Sequence, residues 1–142
     1  MATKAQQTGM RGVFLVAAEL SARGLIVSPT SRGAAGADLL VTDHNCENAF
    51  SIQVKTNAKP ASFWLVGERG ARLTSRSHVY VLVNLRDKDG RHEFYVVPSA
   101  IVAEKTFVSE RPRSTWFGFN KRDAEGFRDA WHIVGADPTN AA

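Results

Sequence analysis

Two apolar runs joined by a polar turn mark the central part of this chain. The first is Leu39-Leu40-Val41, introduced by Gly36-Ala37-Asp38, and the second is Phe50-Ser51-Ile52-Gln53-Val54-Lys55-Thr56. Thr42 to Asn48 between them is polar, so the pattern predicts a β-hairpin from Gly36 to Thr56. Strand side chains alternate between two faces, which puts Ile52 and Val54 on one side and Gln53 and Lys55 on the other. One face of the second strand is therefore apolar and belongs to a core. The other carries an amide and an ammonium, and Asp38 stands where the first strand begins.

The flanking segments supply the rest of a mixed α/β domain. Val13, Val16, Ala17, Leu20 and Gly24 recur at helical spacing, predicting a helix capped at Thr8 or Gly9 and running to about Arg23, after a frayed Met1 to Gln7. Leu25 to Ser28 reads as a strand. Pro29 to Ala37 reads as a Ser/Thr/Gly-rich loop carrying Arg32. Ser62 to Val66 and the Val/Tyr-rich run from His78 to Leu85 read as further strands. Asp89-Gly90 supplies a hairpin turn, and Arg91 to Val97 returns as a strand. Pro98-Ser99 opens a short helix to about Lys105. Thr106 to Pro112 reads as loop. The aromatic stretch Ser114 to Phe119 is expected to pack on the core, with Trp116 and Phe119 at its centre or rim. A last helix is expected from Lys121 to about Trp131, capped by Asn120, with the Phe127 and Trp131 pair on its core stripe. No internal repeat or second domain is apparent. The reading is one domain over residues 1–142, with residues 1–7 and 137–142 as tails.

Composition changes this picture little, and charge changes it slightly. A hydrophobic content of 44% over 142 residues suffices for one real core. No run approaches the roughly 20 apolar residues of a membrane span, and the N-terminus has no signal-peptide pattern, so a cytoplasmic location without membrane contact is expected. Cys46 is the sole cysteine, which excludes an internal disulfide and a thiolate zinc cluster. His44, His78, His92 and His132 show no metal-ligand spacing. No Walker-type loop and no nucleophile elbow is present, which argues against nucleotide hydrolysis of that type and against serine hydrolase chemistry. Lys and Arg number 18 against 14 acids, a net +4, which leans toward an anionic partner. Arg32, Lys59, Arg72 and Arg76 are the candidate phosphate contacts, although each is also the kind of residue that commonly stands solvated on a surface.

The ordered combination of helix, strand and hairpin, with Asp38 followed by Gln53-Val54-Lys55, resembles the PD-(D/E)XK nuclease-like superfamily. That superfamily includes type II restriction enzymes and archaeal Holliday-junction resolvases. Here Gln53 stands where the motif usually has Glu or Asp. The resemblance implies a restriction-endonuclease-like core, a mixed sheet flanked by helices. It also implies a metal-dependent endonuclease acting on nucleic acid, expected to be DNA, with Asp38, Gln53 and Lys55 as catalytic residues. Asp38 and Gln53 would be the ligands of Mg²⁺ or Mn²⁺, and a homodimer would suit cutting of both strands. In the family an acid on the leading helix often joins the metal site. Glu19 is the only acid on that helix, and its late position reads instead as a solvated or salt-bridged flank. With Gln53 in place of an acid, the other class of reading is a catalytically silent module of the same fold that binds nucleic acid or a protein.

Overall fold

A computed structural model of the chain describes residues 1–31 and 36–136. Helix α1 (Lys4–Ala22) begins earlier than the apolar spacing predicts. Thr3 and Gln6 form a capping box: the Gln6 N–H donates to Thr3 Oγ1 at 3.2 Å and the Thr3 N–H donates to Gln6 Oε1 at 2.9 Å. That pair closes the helix end within the stretch expected to fray. The chain then forms β1 (Ile26–Pro29), β2 (Leu39–Thr42), β3 (Ala49–Asn57), β4 (Phe63–Leu65) and α2 (Gly67–Arg72). It continues through β5 (His78–Asn84), β6 (Glu93–Pro98), α3 (Ser99–Lys105), β7 (Phe107–Arg111), β8 (Ser114–Asn120) and α4 (Lys121–Ala124). Two 3₁₀ turns follow, Glu125–Phe127 and Trp131–Val134.

The main sheet has the order β1-β2-β3-β5-β6, with β3 and β5 parallel and the other neighbours antiparallel. Strand β5, between β3 and β6, is buried along its whole length, so both sheet faces are covered there. On one face Val79, Val81 and Val83 pack with Ile52, Val54 and α1 residues Val16 and Leu20. On the other, Tyr80 and Leu82 pack with Trp64, Tyr95, Val102 and Phe119. The second core lies under a small antiparallel sheet of order β4-β8-β7. This is a mixed α/β fold with helices against the sheet, as the hairpin and its flanks predict.

Two sequence expectations in the last third are corrected. The segment read as loop from Thr106 to Pro112 contains β7, and the aromatic stretch after it is its partner β8. The last helix stops at Ala124 and gives way to 3₁₀ turns. Gly126 weakens helix propagation, and Asp129 adopts a φ of +51°, which no helix accommodates.

A close approach fixes α1 against β3. A Cβ on Gly12 would lie 1.8 Å from Thr56 Oγ1, so only glycine lets the helix backbone settle at that distance. This contact carries the N-terminal half of α1 toward the start of β2, where Asp38 lies.

Candidate active site

Asp38 owes its position to the unequal lengths of β2 and β3. The β2 ladder ends with Leu39 opposite Ile52, while β3 runs on to Asn57. The Asp38 N–H donates to the Ile52 carbonyl at 2.7 Å. Beyond that point the Val54 N–H has lost its strand partner, and it donates to Asp38 Oδ2 at 2.8 Å. A carboxylate suits this role because it accepts strongly from backbone donors. Gln53 Nε2 donates to the same oxygen at 3.0 Å. The structure thus brings Asp38 and Gln53 into direct contact.

Lys55 shares a face with Gln53. Gln53 lies opposite Tyr80 and Lys55 opposite Leu82 on β5, both on the side of the second core. Lys55 is half-buried and makes no ion pair among the described residues. Its stem can lie along apolar neighbours while the ammonium reaches the surface.

Asp38 and Gln53 line a cleft of about 520 Å³ together with Gln6, Gly9, Met10 and Thr30. Asp38 is the only carboxylate on its described wall. Glu19 sits toward the far end of α1 and is paired with Arg23, whose guanidinium lies 4.6 Å from the centre of the Trp131 ring. Asp43 closes the hairpin turn by accepting from the Glu47 and Asn48 N–H groups. Neither supplies a second acid to the cleft. Among the described residues no three His, Cys, Asp or Glu side chains form a metal-binding group. The donors that do face the cleft are oxygen-bearing and hard. They fit Mg²⁺ or Mn²⁺ taken up with one carboxylate, solvent and a substrate phosphate, and they do not fit a closed all-protein cage.

The predicted phosphate contacts divide. Lys59 is exposed and lines a separate charged recess with Arg86, Asp87, Lys88 and Lys121. Arg72 is exposed and paired with Glu68 at 2.9 Å, and Arg76 is exposed. Arg32 lies outside the described residues. Arg69, absent from the predicted set, is the arginine of the basic segment that reaches the hairpin. A Cβ on Gly36 would lie 2.9 Å from its guanidinium. Gly36 also has a φ of +85°, a conformation that favours glycine. The sequence signal was Gly36 itself, just ahead of Asp38.

Ser51, His78 and Tyr80 continue the same sheet face. Ser51 Oγ and His78 Nδ1 share a hydrogen bond of 2.8 Å, while His78 Nε2 is buried without a partner. Burial lowers the His78 pKa, the Arg69 charge lowers it further, and a bond to the Ser51 backbone opposes both. Burial also raises the Tyr80 pKa, against the pull of Arg69. For His78 the linkage sign is direct. As pH falls below the ordinary value of 6.5, the unfolded chain takes up the proton before the folded one. Its contribution is whole above 6.5 and declines below it. Urea midpoints measured on either side of that pH are expected to fall on the acid side, and His78→Gln is expected to flatten the drop. An equally steep drop in the variant would assign the acid sensitivity elsewhere.

The whole-chain architecture has known counterparts. A Holliday junction resolvase from the archaeal hyperthermophile Archaeoglobus fulgidus, Hjc, superposes with a TM-score of 0.57 at 13% identity, covering 91% of this chain and 97% of its own. The bacterial homing endonuclease I-Ssp6803I superposes with a TM-score of 0.61 at 18% identity, covering 94% and 92%. Both have the restriction-endonuclease-like fold. The fold here is restriction-endonuclease-like. No protein-family model matches the chain, and no curated protein matches it. On this fold Asp38 contacts the Gln53 amide, and Lys55 lies two residues further along β3.

Proposed function

We propose that the chain is a metal-dependent endonuclease that hydrolyses phosphodiester bonds in nucleic acid, with DNA as the substrate. The observation that carries this reading is the Asp38 carboxylate, held by Gln53 and Val54 at the start of β2 with Lys55 on the same strand as Gln53. The two solved structures described above are named as nucleic-acid enzymes, a resolvase and a homing endonuclease.

In this mechanism Asp38 and Gln53 would hold the divalent cation. Asp38 Oδ2 is occupied by its two donors, so its other oxygen is the natural ligand. Gln53 would turn its amide so that the carbonyl oxygen faces the ion, releasing the bond to Asp38. When bound, the ion supplies Lewis-acid charge to a phosphate oxygen and eases deprotonation of a water. Lys55 places positive charge where the phosphate gains negative charge as the attacking and leaving oxygens exchange. Arg69, whose guanidinium lies beside Gly36, adds positive potential at the hairpin.

The second reading is a binding module without catalysis. It is favoured by a cleft with a single carboxylate among its described residues and by an amide that donates to that carboxylate. Cleavage assays on duplex, branched and single-stranded DNA, with Mg²⁺ or Mn²⁺ and with chelator, separate the two. Cutting that appears with either ion and vanishes with chelator is the expected result. DNA binding without cutting under any ion would establish the silent module, and absence of nucleic-acid binding would overturn both in favour of a protein partner.

A further inference from the structure

Lys55 also opens onto a groove that phosphodiester chemistry does not use. The groove has a volume of about 300 Å³ and is lined by Lys55, Thr56, Asn57, Phe63, Leu65 and Trp116, among others. That is the lower end of the range for small-molecule pockets, about 300–1,000 Å³. Its base is the end of β3, and its wall belongs to the small sheet. Alternation along β8 sends Phe117 and Phe119 toward the second core and leaves Trp116 on the opposite side.

The wall is aromatic and positively charged. Phe63 lies 6.2 Å from Trp116, centre to centre, with the planes 31° apart. Phe107 meets Phe63 edge-on at 5.9 Å, and its ring covers Gly118. The Arg111 guanidinium lies 3.9 Å from the centre of the Trp116 ring. Leu65 is 49% exposed. A core would bury these rings, and a solvated edge would not need them. Half-exposed rings between a lysine and an arginine match a planar group on an anionic chain.

We propose that the groove between Lys55 and Trp116 receives a nucleobase that has left its helix, beside the phosphodiester engaged by Lys55. This rests on the endonuclease reading, because Lys55 serves both. The groove has room for a single base and its sugar, not for a paired helix. Within a duplex each base stacks on its neighbours, so entry requires unpairing. Unpairing costs least at a bulge, mismatch or branch. The preferred substrate is therefore DNA with an unpaired nucleotide next to the scissile phosphate, and Trp116 is a specificity-determining residue.

The test uses the full chain in chelator, so that binding is read without cutting. Fluorescence anisotropy compares a fully paired duplex with one carrying a single bulged 2-aminopurine. The bulged duplex is expected to bind about tenfold more tightly, with quenching of the 2-aminopurine emission as it stacks. Trp116→Ala is expected to abolish the preference and the quenching, and Trp116→Phe to retain most of both. A thermal melt shows whether each variant is folded, and the phenylalanine variant keeps β8 aromatic if the alanine variant is not. Equal binding of the two duplexes by the native chain, or a preference that survives Trp116→Ala, would overturn the groove assignment and leave the endonuclease reading intact. Failure to bind either duplex would overturn both.

Discussion

Lys55→Met is expected to slow phosphodiester cleavage by about 10²–10³-fold, the usual cost of removing one group that stabilises charge in the transition state. Methionine keeps an apolar stem on the face shared with Leu82, the register partner of Lys55 on β5, and removes only the ammonium. The position can bear that change because Lys55 makes no ion pair among the described residues, so no carboxylate is left stranded. Its half-buried setting next to buried β5 gives its charge more effect than a solvated lysine would have. The loss should fall on kcat with KM little changed, since charge that matters mainly in the transition state does not tighten ground-state binding. Asp38→Asn is the companion variant. It keeps an acceptor for the Val54 N–H but removes the only carboxylate among the described residues of the cleft wall, and it should lose the response to added metal along with the activity. Steady-state kinetics with a metal titration reads both. Wild-type turnover in Lys55→Met would remove Lys55 from the chemistry, and an unchanged metal response in Asp38→Asn would move the cation elsewhere.

The hairpin was legible because two signals agree there. Alternation separates Ile52 and Val54 from Gln53 and Lys55, and a polar turn divides the runs; β2 and β3 follow this division. The β5 and β6 pair was legible for the same reason, with Asp89-Gly90 between the strands. The small sheet was not. In β7 the residues Ser109, Glu110 and Arg111 are polar, and the strand is held by its ladder to β8 rather than by an apolar face of its own. Helix α1 was placed but started late, because the Thr3 and Gln6 box precedes the apolar stripe. Arg69, Arg72 and Arg76 look alike along the chain. Only the turn of α2 sends Arg69 to Gly36 and Arg72 to Glu68. The contact between Asp38 and Gln53 was implied by the register of the hairpin, whereas the groove beside Trp116 required the pairing of β4 with β8.

Trp64→Ala is expected to destabilise the fold by about 3–5 kcal/mol, within the range for deleting a fully buried large aromatic. Trp64 is 1% exposed and fills the space between the main sheet and the small one. Its ring meets Tyr95 edge-on at 5.3 Å, and its Nε1–H donates to the Val83 carbonyl at 2.9 Å. Alanine removes the ring, the aromatic pair and that bond together, and the surrounding strands cannot close the gap because Tyr95 and Phe119 are held by their own ladders. Against a typical total stability of about 5–15 kcal/mol, this brings the variant close to unfolding. With a urea slope of about 2 kcal/mol per molar, the midpoint should fall by roughly 2 M. Trp64→Phe keeps most of the ring and loses the N–H, so its midpoint should fall by less. The same residue borders the groove beside Lys55, so the site shares its support with the second core. A loss under about 1 kcal/mol in Trp64→Ala, the size of a surface substitution, would mean that the small sheet does not close the core and that the Trp116 wall is not held in place by it.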